Sequence, residues 1–65
     1  MDKIIKNSTW KNNKKNTFYI VLNEGIDCTN ERDGLIVVVY QAKENSSLLF
    51  VREKKEFLDK FTFIK

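Results

Sequence analysis

Apolar residues in this chain come in short blocks separated by runs of Lys, Asn, Ser and acidic side chains. The longest block is the six-residue run 35–40, Leu-Ile-Val-Val-Val-Tyr, which is β-branched and of strand length. Residues 17–22, Thr-Phe-Tyr-Ile-Val-Leu, have the same character, and 9–11, 48–52 and 61–64 are shorter strands by the same criterion. The polar stretch 12–16, Asn-Asn-Lys-Lys-Asn, predicts a turn joining 9–11 to 17–22 as a hairpin, and 43–47 a second turn joining 35–40 to 48–52. Residues 23–34 hold both glycines and four acidic side chains, which predicts a surface loop. Residues 53–60 carry Phe57 and Leu58 among charges and are too few for a stable free helix, so they predict one or two helical turns packed over a barrel end. Residues 1–8 are polar apart from Ile4 and Ile5 and predict an N-terminal arm, leaving 9–65 as a single domain. The expected fold is all-β: a small five-stranded SH3-like barrel with a short helical turn before the last strand.

The two longest strands do not alternate apolar with polar. Phe18, Ile20 and Leu22 share one face while Tyr19 and Val21 share the other, and Leu35, Val37 and Val39 oppose Ile36, Val38 and Tyr40. One face fills the core, for which Val37, Val39 and Phe57 are the expected residues. The other must be covered by the arm and helical turn, by a second copy of the chain, or by a partner. A homodimer anchored by Tyr19 or Tyr40 meets that need, because each joins a large ring to a hydroxyl that reaches water.

Size strengthens that expectation. A 65-residue chain buries only about 60% of the surface it exposes when unfolded, and such domains usually need a staple. Cys28 is the single cysteine and there is no histidine, so neither an intrachain disulfide nor a structural zinc site is available. Oligomerisation remains. The unpaired cysteine and the absence of a charged-then-apolar leader predict a reducing cytoplasm, and no segment reaches the roughly 18 apolar residues of a membrane span. Usage skewed to Lys, Asn, Ile and Phe, whose codons are A- and T-rich, points to a low-GC genome of the kind common in phages and their hosts.

The net charge of +3 is arranged in blocks. Lys3, Lys6, Lys11, Lys14 and Lys15 against Asp2 give the first sixteen residues +4, whereas 17–34 carry −3, 35–53 are neutral and 54–65 carry +2. Basic ends around an acidic lobe suit an anionic partner, and they also serve solubility.

Catalytic chemistry is excluded chiefly by composition. Without histidine there is no imidazole base, no Ser-His-Asp or Cys-His pair and no common transition-metal cluster. Glu53 with Glu56 and Asp27 with Glu31 are spaced like ordinary exposed carboxylates, with no apolar flank to raise a pKa. Cys28 has acids nearer in sequence than bases, Arg32 apart, which disfavours its thiolate. Two isolated glycines cannot build a phosphate-binding loop. The chain is therefore expected to be a binding protein with no cofactor. Its candidate contact residues are Trp10, Tyr19, Tyr40 and Phe50, interleaved with Lys14, Lys15 and Arg52 on elements that pair, since small barrels stack bases on aromatic strands and hold phosphates with flanking cations. Arg52 has two readings: a surface ion pair with Glu53 or Glu56, or an anchor for a phosphate or acidic side chain.

The run Asp33-Gly34-Leu35-Ile36-Val37-Val38-Val39-Tyr40, then Leu49-Phe50-Val51-Arg52, Glu56-Phe57 and Phe61, resembles a family of short phage and bacterial proteins catalogued as a domain of unknown function. Members of that family show an early aromatic followed by a basic turn and a Tyr, then a V-V-Y strand, a W-V-R-P strand and an E-F segment. Trp10, Tyr19, Val38-Val39-Tyr40, Val51-Arg52 and Glu56-Phe57 match, over most of the chain from Trp10 to Phe61. The family's Trp is Phe50 here, its Pro is Glu53, and the His often following the first aromatic is Asn12. The resemblance implies an SH3-like barrel and a phage or prophage setting, without an activity to carry over. The expected function is a non-enzymatic accessory protein that binds and blocks a host component in the host cytoplasm, either a defence protein or its nucleotide signal. The alternative is a small nucleic-acid-binding module.

Overall fold

The computed structural model describes residues 4–29, 31 and 34–65. The first three positions of the expected arm, and Asn30, Arg32 and Asp33, lie outside the described residues. Five strands and one helix follow in chain order: β1 Thr9–Asn12, β2 Phe18–Asp27, β3 Leu35–Ala42, β4 Asn45–Glu53, α1 Lys54–Lys60 and β5 Phe61–Phe63. They form one antiparallel sheet in the order β4-β3-β2-β1-β5. The sheet is not closed, so the expected barrel closure is not seen. β4 and β5 are its edges, and α1, which touches β3, β4 and β5, fills the interval between them in place of strand pairing.

Both hairpins form, with shifted limits. The first turn is held by Asn12, whose side-chain Oδ1 accepts the backbone N–H groups of Lys14 and Lys15, each at 3.0 Å. Backbone bonds from Asn12 N–H to the Thr17 carbonyl and from Asn16 N–H to the Asn12 carbonyl, both 2.8 Å, close the loop. Asn16 takes φ +58°, a left-handed conformation that Asn tolerates better than most residues because its short amide bonds locally. The second turn is tighter than 43–47, because Asn45 already pairs with Ala42.

The loop expected over 23–34 begins later. Asn23, Glu24 and Gly25 are weak strand formers, yet they pair with Val39, Val38 and Val37, and β2 continues to Asp27. The long β3 templates the extension. A register shift between Val21 and Asn23 leaves Leu22 without an opposite residue and changes which residues of β2 face inward.

The core comprises Trp10, Val21, Val38, Tyr40, Phe57 and Phe61. Phe57 is buried as expected, but Val37 and Val39 are only partly buried, and the buried positions on β3 are Val38 and Tyr40. The reason is aromatic volume: Tyr40 turned inward meets Phe57 at 5.1 Å and Phe61 at 5.3 Å between ring centroids, a contact area that another Val would not supply. Phe57 and Phe61, one helical turn apart, stack at 4.3 Å and 11°. The described part of the arm docks on β2 through bonds of Asn7 and Ser8 to Val21, and Ile4 packs against the core. It leaves the outer face of β3 and β4 open, where Leu49 and Val51 are 61% and 65% exposed.

Candidate functional site

Arg52 lies near the end of β4 opposite Val38, so its side chain leaves the sheet on the inner face beside Tyr40 and α1. Three groups hold it. Its Nε–H donates to the Tyr40 hydroxyl at 3.1 Å, an Nη1–H donates to Glu56 Oε1 at 3.0 Å, and the guanidinium carbon sits 5.7 Å from the Phe61 ring centroid. The Tyr40 hydrogen bond raises the guanidinium pKa above its ordinary value, with Glu56 adding to it and partial burial opposing. The charge is thus fixed in place but not sealed away, since the side chain is 31% exposed.

Lys14 and Lys15 occupy the tip of the first turn, where Asn12 locks their backbone and leaves both side chains in solvent. The turn is fastened to the far end of the chain. Asn13 N–H bonds the Lys60 carbonyl at 3.0 Å, and Thr62 Oγ1 donates to Asn13 Oδ1 at 2.6 Å. These bonds bring the last residue of α1 beside the turn. Lys14, Lys15, Lys60 and Arg52 consequently line one open cleft of about 450 Å³, with Asn12, Asn13 and a single acid, Asp59.

Aromatic surface continues from the Arg52 wall. Tyr40 stacks on Phe50 at 5.4 Å and 27°, and Tyr19 meets Tyr40, Phe50 and Phe61 edge to face at 5.5, 5.9 and 5.4 Å. Tyr40 is buried, Tyr19 half-buried, and Phe50 is 36% exposed. Of the candidate contact residues, Tyr19, Tyr40, Phe50 and Arg52 thus form one connected cluster, and Lys14 and Lys15 share a cleft with Arg52. Trp10 stands apart, buried against Phe57 and Phe63 with its indole N–H donated to Ser8 Oγ at 2.8 Å. Its place is in the core.

Sequence reasoning passed over Lys60 and Asp59. Their position follows from the β1–β5 pairing of Asn12 with Phe61, a long-range contact that no local pattern encodes. On the other side of Arg52 a second cleft, of about 580 Å³, carries Asp27, Glu53 and Glu56 among Leu35, Val37 and Val51. Arg52 therefore stands on the divide between a basic cleft and an acidic one. Lys54 on α1 pairs with Glu24 of β2 at 2.8 Å, pinning the helix across the sheet. Among the described residues no group of three His, Cys, Asp or Glu side chains is placed to hold a metal ion, and no helix is long and apolar enough to cross a membrane.

Comparison with protein-family models, with curated proteins and with solved structures gave no match.

Proposed function

We propose that this chain is a non-enzymatic binding protein that captures a small nucleotide-type anion in the basic cleft. The observation that carries the reading is the convergence of Lys14, Lys15, Lys60 and Arg52 on one opening of about 450 Å³ against a single carboxylate, Asp59. That volume lies within the ~300–1,000 Å³ of small-molecule sites. The three lysines supply mobile ammonium groups. Arg52 supplies a fixed, planar donor whose orientation is set by Tyr40 and Glu56 before any ligand arrives, which lowers the ordering cost of binding. Phosphate oxygens would meet these cations, and a base would lie towards the exposed ring surface of Phe50 and Tyr19.

The wider setting we propose is that of a phage-type accessory protein in the host cytoplasm, which withholds a nucleotide signal from a host defence component and so blocks it. The resemblance described above supports that setting. The strand order β5-β1-β2-β3-β4 with a short helix before β5 suits the SH3-like fold that the resemblance implies, opened at one side.

A second reading, a single-stranded nucleic-acid module, is favoured by the openness of the basic cleft beside the exposed Phe50 ring. Titration calorimetry separates the two. A nucleotide-capturing protein binds one mono- or cyclic nucleotide in preference to its relatives and to oligonucleotides. A nucleic-acid module gains affinity with oligonucleotide length and loses it steeply between ~50 and ~200 mM salt as counterions are released. Absence of binding to both classes at low salt overturns the basic-cleft reading.

A further inference from the structure

We propose that the ligand of the basic cleft is a nucleoside 5′-di- or triphosphate, held with the phosphate nearest the sugar at Arg52 and the outer phosphates among Lys14, Lys15 and Lys60. The inference rests on the basic-cleft reading above and adds the chemical class and the orientation of the ligand. Its first observation is the charge of the opening. Four cations face one carboxylate, Asp59, which leaves three positive charges in excess. A cyclic phosphodiester carries a single negative charge, and a phosphate monoester about −1.5 to −2 at neutral pH. Either leaves like charges of the cleft side by side without a counter-charge. A chain of two or three phosphates matches the excess.

The second observation is that the cations come from separate elements. Lys14 and Lys15 stand on the tip of the β1–β2 turn, and Lys60, the last residue of α1, is tied to that turn by the 3.0 Å bond from Asn13 N–H to its carbonyl. The same bond takes up a terminal helix carbonyl that would otherwise repel an anion. The three lysine side chains are exposed, so their ammonium groups follow a phosphate chain wherever it lies. Arg52 comes instead from β4 and stands on the aromatic wall, bonded to Tyr40, whose ring stacks on Phe50. Its Nε is given to Tyr40 and its Nη1 to Glu56, and neither bond uses Nη2. A phosphate on the fixed guanidinium is therefore the one next to a nucleoside whose base lies on the exposed Phe50 ring. The phosphates beyond it extend to the lysines.

The test is calorimetric titration of the full chain, at low salt and without magnesium, with the mono-, di- and triphosphates of adenosine and guanosine, cyclic AMP and inorganic triphosphate. Affinity is expected to rise at least roughly threefold with each added phosphate, at one ligand per chain, with cyclic AMP the weakest of the nucleotides. Inorganic triphosphate meets the same lysines without a base to stack and is expected to bind about tenfold more weakly than the nucleoside triphosphates. Any basic surface favours higher charge, so variants locate the effect. Lys60→Ala is expected to lower triphosphate affinity at least roughly threefold and monophosphate affinity by less than about twofold, and Lys60→Arg to restore it. Its melting temperature stays unchanged, because the Lys60 side chain is exposed and the carbonyl bonded to Asn13 is retained. Arg52→Lys is expected to lower mono- and triphosphate affinity by the same factor. Equal affinity along the phosphate series, cyclic AMP binding tightest, inorganic triphosphate matching the nucleotides, or an equal effect of Lys60→Ala on mono- and triphosphates overturns the proposal. Binding of none of these ligands overturns the basic-cleft reading itself, an outcome distinct from the other four.

Discussion

The Tyr40 hydroxyl accepts the Nε–H of Arg52 at 3.1 Å, joining a buried core ring to the cation that walls the basic cleft. The same ring stacks on Phe50 and meets Phe57, so the position of Arg52 is set by the packing of the whole inner face. Tyr40→Phe keeps the ring and removes the acceptor. It is expected to cost about 1 kcal/mol of stability. It should also weaken anion binding several-fold by releasing the guanidinium, and denaturant unfolding run beside ligand titration checks both. The pKa shift adds a sign. A raised folded-state pKa gives stabilisation that is complete below the ordinary Arg value and lost only as pH rises through the raised one. Arg52 therefore contributes no pH dependence between about pH 6 and 9.

Arg52→Ala has a mixed expectation, because the side chain bonds Tyr40 and Glu56 and covers Phe61. The pair with Glu56 is exposed and adds under about 1 kcal/mol, while the Tyr40 bond and the covered ring bring the total cost to about 1–2 kcal/mol. Arg52→Lys keeps the charge and loses the fixed donor fork. It is expected to restore stability in part and affinity less. Equal recovery of both would assign Arg52 to the fold alone.

Val38→Ala and Val39→Ala test which face of β3 is the core. Val38 is fully buried beneath α1, and truncating it is expected to cost about 2 kcal/mol through lost burial and the cavity left behind. Val39 lies on the outer face, partly exposed, and its truncation should cost less than about 1 kcal/mol. Melting temperatures in the reverse order would place the wrong face inside.

Asn12→Ala removes the acceptor for two backbone N–H groups at a position that is itself buried. The expected loss is about 1–2 kcal/mol, and because the turn carries Lys14 and Lys15, anion affinity falls with it. Amide hydrogen exchange at Lys14 and Lys15 should accelerate selectively in the variant.

Much of this arrangement is legible in the residues themselves. The β-branched blocks mark the strands, the Asn-Lys turn marks the first hairpin, and Phe57 among charges marks a short helix packed by one ring. The inward face of β3 is not legible, because Val37 and Val39 are as apolar as Val38. What decides it is the aromatic cluster assembled by α1 and β5, far along the chain. The length of β2 escapes for the same reason: Asn23, Glu24 and Gly25 join the sheet only because β3 offers a partner. At the site, the cations of the turn and of β4 can be picked out by type, but Lys60 cannot, since it arrives through the pairing of Asn12 with Phe61. That the sheet stays open is likewise not legible, because it depends on α1 packing against both edge strands, β4 and β5.

The claim that the basic cleft is the binding site is tested most directly by titrating isotope-labelled protein with a nucleotide at low salt and following the amide and side-chain resonances. The expected result is saturable shifts confined to Lys14, Lys15, Lys60, Arg52 and the neighbouring Tyr19 and Phe50, abolished by the double variant Lys14→Ala, Lys15→Ala, whose melting temperature is unchanged because both side chains are exposed. Shifts that centre instead on the acidic cleft of Asp27, Glu53 and Glu56, or that survive the double variant, would contradict it.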